Sequence, residues 1–187
     1  MRINLPVSGQ EYPFPKGQTL VSTTDTKGRI LYCNPLFIEV SGYEKEELLG
    51  QPHNIVRHPD MPEEAYRDMW ATIASGRPWS APVKNRRKNG DHYWVRANAA
   101  PVMRNGQLTG YLSVRTRPAR AEVQAAEDLY RRFREGHAQG WRFFRGLVVR
   151  SGPLAWLRLT PEQWRSQREL SGAKRSPRRP NVTAGLA

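Results

Sequence analysis

The dipeptide Asn-Gly occurs twice in the middle of the chain, at Asn89-Gly90 and Asn105-Gly106, each time between runs rich in β-branched and aromatic residues. Both central residues of a type I′ turn need positive φ, which Asn and Gly tolerate, so each pair predicts a tight hairpin and commits its flanks to antiparallel pairing. Trp79 to Arg87, His92 to Val102 and Leu108 to Arg117 therefore read as three consecutive strands. Pro82 places the first of them at a sheet edge, because proline cannot donate to a ladder. Side-chain alternation ties Tyr93, Val95 and Ala97 to one face and Trp94, Arg96 and Asn98 to the other, without saying which face is inside.

Upstream, Leu20 to Asp25 and Arg29 to Cys33 are two further β-rich runs, joined at Lys27-Gly28. Asn34 offers an N-cap and Pro35 a first-turn residue for a short helix that Ser41-Gly42 breaks. A second short helix, Glu44 to Leu49, ends at Gly50. Pro62 opens a longer helix in which Ala65, Tyr66, Met69, Trp70 and Ile73 recur at helical spacing until Gly76. Another helix covers residues 119–135, with Val123, Ala126 and Tyr130 on one stripe. The order ββ, short helices, βββ is that of an α+β fold: an antiparallel sheet with helices massed on one face and a pocket between them.

Composition sets the limits. A chain of 187 residues with 38% apolar content supports one core of about 100 to 130 residues plus a remainder. The single cysteine, Cys33, excludes an internal disulfide and suits a reducing cytoplasm. No apolar run approaches the roughly 20 residues of a membrane span, and the N-terminus lacks a secretory signal. Residues 131–187 hold thirteen Lys and Arg against three Asp and Glu, which is most of the net charge of +13. Such a stretch reads as a solvated, disordered tail able to make weak contact with anionic membrane.

The densest chemistry lies at 50–62, GQPHNIVRHPDMP, and 84–99, KNRRKNGDHYWVRANA. Together with LVSTTD at 20–25 and SGY at 41–43, these motifs resemble the PAS domain of bacterial aerotaxis receptors from about Thr19 to Thr116. Weaker similarity continues to Arg150. The resemblance implies a five-stranded PAS fold over residues 19–118, preceded by an N-terminal cap segment (1–18) and followed by a helical linker (119–150) and the basic tail (151–187). It also implies noncovalent FAD, redox or oxygen sensing, and output to receptor or chemotaxis proteins, with a homodimer among the possible assemblies. Residues matching Arg57, His58, Asp60 and Trp70 are linked to FAD binding in that family. The membrane anchor, HAMP segment and kinase-control coiled coil of those receptors have no counterpart here, as in a truncated receptor.

Bottom-up chemistry is compatible with that reading. A flavin needs a flat apolar slot, aromatic faces, and donors or cations for its polar edge and pyrophosphate. Arg57, His58 and Asp60 lie within four residues on an irregular loop from which side chains can converge. Trp70 is a stacking candidate against the bland reading of a core residue. His53, Asn34, Asn85 and Tyr93 complete the candidate set, Asn34 being read also as a simple N-cap. His53 and His58 lack a third and fourth metal ligand, so no metal site is expected. Arg86, Arg87 and Lys88 beside Tyr93 and Trp94 suggest a charged hairpin tip rather than a specific nucleic-acid patch. With no nucleophile elbow, Walker loop or dinucleotide fingerprint, no enzyme is expected. The alternative function is a cofactor-free PAS interaction module.

Overall fold

The computed structural model describes residues 3–151, so the expectations for the remainder of the basic tail lie outside the described residues. The chain runs β1 (Leu20–Thr24), β2 (Ile30–Cys33), α1 (Pro35–Ser41), α2 (Lys45–Leu48), a 3₁₀ turn (His53–Val56), α3 (Glu63–Ala74), β3 (Trp79–Arg86), β4 (His92–Arg104), β5 (Gln107–Thr116), α4 (Arg120–Arg134), β6 (Trp141–Phe144) and β7 (Leu147–Arg150). The first five strands form one antiparallel sheet in the order β2-β1-β5-β4-β3. Since β2 and β3 are opposite edges, the segment between them must cross the whole sheet. That crossing lays α1, α2 and α3 on one face, called here the inner face. The cavity lies beneath it.

Local signals explain most of these elements. The Asn34 side chain accepts from the Phe37 N–H at 3.1 Å, and Pro35 occupies the first turn of α1. Gly42 ends the helix at φ +72°. A reciprocal capping box between Glu44 and Glu47 starts α2. At the β4–β5 turn, Asn105 and Gly106 both have positive φ, as a type I′ hairpin requires.

The β3–β4 turn departs from the expectation. Asn89 has no positive φ; only Gly90 does, at +100°. The Gly90 N–H donates to the Arg87 carbonyl, and the Arg87 N–H to Asp91. The loop is therefore a turn over Lys88-Asn89 followed by a glycine bulge, the longer relative of the two-residue hairpin. The Asn89 side chain stabilises it by bonding both the backbone and the carboxylate of Asp91.

Two further differences concern the second face. The expected helix is present as α4, with Val123, Ala126 and Tyr130 buried. It is not a free linker but packs against the outer face of the sheet. Tyr130 stacks on Trp94 at 6.3 Å and donates its hydroxyl to the Pro82 carbonyl at 2.6 Å. The β3–β4 side of the outer face is thus covered. Residues 141–150, expected as linker, form the β6–β7 hairpin, which packs Phe143 on Tyr130 and Phe133. The four-residue strands are too short to show a period.

The N-terminal segment is extended and hydrogen-bonded to the sheet. It runs along the start of β4, with Ser8, Gln10 and Tyr12 bonded to Gly90 and His92. Asn4 donates to the carbonyls of Asn54 and Arg57, both at 2.9 Å.

Candidate functional site

The inner face of the sheet presents Ser22 and Thr24 from β1, Val83 and Asn85 from β3, Ala97 and Ala99 from β4, and Tyr111, Ser113 and Arg115 from β5. Alternation explains the set, because odd positions of β3, β4 and β5 share one side. Val56, Arg57, Tyr66, Met69, Trp70 and Ile73 close the cavity from the helical side. The cavity proper has a volume of about 90 Å³ and opens to solvent at its mouth.

Polar groups in this wall fall into two kinds. The first kind is fully engaged. Arg115, only 5% exposed, donates to Ser22 Oγ at 3.0 Å and from Nη2 to His53 Nε2 at 2.7 Å. Burial, reinforced by the Arg115 charge, pulls the His53 imidazole down to about 3. His53 is therefore neutral and can accept. Burial likewise draws the Arg115 guanidinium down to about 10, still a cation at neutral pH.

The second kind has nothing to bond. Thr24 Oγ1, Arg57 Nε and Asn85 Nδ2 are buried polar atoms without a partner, and all three residues line the cavity. A buried unsatisfied donor costs about 1–3 kcal/mol, so three around one cavity make it a candidate site for a bound acceptor. Arg57 is otherwise held by one bond from Nη2 to the Met61 carbonyl, 3.1 Å, and by the Tyr66 ring, 4.9 Å from its guanidinium carbon. Burial pushes the Tyr66 hydroxyl up to about 12. No Asp or Glu is among the lining residues, so the wall is net positive.

Of the sequence candidates, Arg57, His53, Trp70 and Asn85 line the cavity. Trp70 is not a core residue: it is 37% exposed, at the cavity mouth, with its ring edge-on to Tyr111 at 5.5 Å. Gly28 lies directly beneath that indole, where a Cβ would come within 2.7 Å of it. The other four candidates do not line it. Asn34 is spent on structure, accepting from Val21 and Phe37 and donating to Thr19. Tyr93 is fully buried on the inner side, across the ladder from Asn85, with an unpartnered hydroxyl.

His58 and Asp60 are on the other side of the β3 edge. Arg57 bridges Asn85 in the manner of a short extra strand, and successive side chains of an extended segment point to opposite sides. Arg57 consequently turns inward and His58 outward. His58 Nδ1 accepts from the Asp60 N–H at 3.1 Å, and its ring meets His92 at 5.8 Å. Asp60 accepts from Lys84 Nζ at 2.7 Å. Although burial opposes it, the Lys84 bond and charge hold the Asp60 carboxyl below its ordinary value. Convergence of three neighbours on one ligand was the wrong inference, because an extended backbone cannot aim consecutive residues at one point.

Residues the sequence reading passed over are Arg115, Ser22, Thr24, Asn54 and Tyr111. Their signal was parity: Ser22 and Thr24 share the inward register of buried Leu20, and Ser113 and Arg115 continue that of Tyr111.

Comparison with known proteins agrees with this geometry. Residues 30–115 match the family described as PAS fold, and the five-stranded sheet with its crossing helices has that fold. The chain is 52% identical to the aerotaxis receptor of Escherichia coli K12 over 161 residues, 86% of this chain and 32% of that protein. It is 34% identical over 95 residues, 50% of this chain and 19% of the relative, to the nitrogen fixation regulatory protein of Klebsiella oxytoca. The chain thus spans about a third or less of these relatives. The light-state structure of the blue-light photoreceptor Aureochrome1 LOV superposes with a TM-score of 0.53 at 20% identity, over 64% of this chain and 93% of that one. Among the described residues, no helix is long and apolar enough to cross a membrane.

Proposed function

We propose that this PAS-fold domain is a sensory module that binds a flavin, FAD by preference, and reports its redox state without performing catalysis. The observation that carries the reading is the trio Thr24 Oγ1, Arg57 Nε and Asn85 Nδ2, buried without partners around an apolar slot. An isoalloxazine has complementary features: a planar ring with a carbonyl-rich edge. The similarity to an aerotaxis receptor supports the same assignment.

A flavin supplies reversible uptake of electrons and protons when bound. The chain's own residues do the rest. Asn85 and Thr24 orient the polar edge, while Arg57 and Arg115 offset negative charge. Val83, Ala97 and Ala99 keep water from one ring face, and Trp70 with Tyr111 shields the mouth. Added charge in such a wall alters the bonds made by Arg57 and Asn85, which is how a redox event becomes a conformational one. Receptor or chemotaxis signalling proteins in the cytoplasm, or a second copy of the chain, are the proposed recipients.

The test is the absorbance spectrum of the purified protein, with denaturation to release and identify the chromophore. Flavin bands and released FAD are expected. Colourless protein that cannot be reconstituted with FAD overturns the reading in favour of a cofactor-free interaction module.

A further inference from the structure

The Asp60 carboxylate lies outside the cavity, yet the loop that carries it also carries Arg57. Four contacts join that loop to β3 and α4. Arg57 bridges Asn85 along the sheet edge, and Met61 Sδ accepts from the Lys84 N–H at 3.3 Å. Asp60 pairs with Lys84 Nζ at 2.7 Å, and Lys84 in turn faces Glu127 of α4 at 3.5 Å. Arg134, on the last turn of α4, donates to the Asp60 carbonyl. Lys84 is only 7% exposed, and its sequence neighbours Val83 and Asn85 line the cavity. One residue of β3 therefore separates the ligand wall from an ion cluster under α4.

We propose that Asp60, Lys84 and Glu127 are positioning residues: their ion triad sets the loop that presents Arg57 to the cavity, and couples cavity occupancy to the seating of α4 on the outer face. This rests on the flavin reading for its ligand. The physical reason is that a buried ammonium must stay paired. If a ligand draws Arg57 away from the Met61 carbonyl, the short loop shifts, Asp60 shifts with it, and Lys84 must rebalance between Asp60 and Glu127. The coupling is reciprocal: loosening α4 must weaken the ligand by the same factor by which the ligand tightens α4.

The experiment uses the full chain and four variants, Glu127→Gln, Asp60→Asn, the double variant and Lys84→Arg, with hydrogen exchange of residues 57–62 and 120–134 and titration with FAD. Glu127→Gln touches no cavity residue. It is expected to raise exchange in the 57–62 loop as well as in α4, and to weaken FAD about fivefold. FAD is expected to protect α4 in the parent chain and less so in this variant. The double variant should lose less affinity than the two single losses combined. Lys84→Arg, which keeps the charge, should retain the coupling. Faster exchange confined to α4 with unchanged FAD affinity, or fully additive effects, would overturn the proposal. If the parent chain takes up no flavin, the flavin reading fails separately, and an unchanged 57–62 loop in unliganded Glu127→Gln overturns the triad on its own.

Discussion

The two faces of the sheet treat polar atoms in opposite ways. Outside, under α4, Lys84 meets Asp60 and Glu127, Arg96 meets Glu122 at 3.1 Å, and the Tyr130 hydroxyl meets a carbonyl. Inside, the two guanidinia have no carboxylate in the cavity wall, and Thr24, Arg57 and Asn85 keep atoms with nothing to bond. Exposure contributes to the contrast: Asp60, Glu127 and Arg96 reach solvent, whereas Thr24, Arg57 and Asn85 are buried. The outer side leaves one unpartnered buried atom, His92 Nδ1, whereas the inner wall gathers three around a single cavity.

The sharpest way to break that comparison is Arg115→Met. Inside, the substitution should weaken flavin by about a hundredfold, the loss of charged hydrogen bonds worth about 3 kcal/mol. It should cost the unliganded fold only about 1 kcal/mol, because Ser22 Oγ and His53 Nε2 lose a donor but remain 3.2 Å from each other. Flavin titration and urea unfolding measure the two quantities, and a large loss of unliganded stability would make Arg115 a structural residue instead.

Acid treats both faces alike, and this bounds the contrast. Burial first, then nearby cations, pull His53 to about 3 and His58 to about 4, against about 6.5 in an unfolded chain. Each is neutral when folded, so below about pH 6.5 protons bind preferentially to the unfolded state. Stability is full above that pH and is lost as pH falls toward 4, at up to about 1.4 kcal/mol per unit for each group. Urea unfolding across pH 4 to 8 checks this, and His53→Gln or His58→Gln should each flatten the slope.

Asn85→Ala comes next. It should cost about tenfold in flavin affinity while leaving unliganded thermal stability unchanged or raised, since an unpaired buried amide is removed. The smallest effect belongs outside: Tyr130→Phe should destabilise the fold by about 1 kcal/mol by stripping the Pro82 carbonyl of its donor, with flavin affinity unchanged.

Fold and site were not equally legible. Asn105-Gly106, Asn34-Pro35 and the α3 spacing are local signals, and local signals read correctly. The Gly90 bulge was missed because Asn-Gly suits more than one hairpin, and the Asp91 side-chain bonds that select among them involve a residue outside the pair. The covering of the outer face by α4 depends on where Trp94 and Pro82 end up, which no window of sequence contains. In the site, Arg57 and Asn85 were legible as polar residues in dense motifs. Arg115 was not, because its role comes from Ser22 and His53, which are 93 and 62 positions away. Asp60 was read as converging with Arg57 on one ligand, since only the bridge from Arg57 to Asn85 reveals the alternation that separates them.

Asp68 of α3 accepts from the Trp79 indole at 2.7 Å and from the Arg145 and Gly146 backbone N–H groups at 2.8 and 2.7 Å. Its two oxygens pin the β6–β7 turn to the helix whose next residues are Met69 and Trp70. In mechanical language this is a load path. A pull or twist applied to the chain beyond residue 151 reaches, through a hairpin and one carboxylate, the helix that roofs the cavity. A domain wired in this way can be read by force as well as by contact, and whatever holds its C-terminal side has a grip on the cavity mouth.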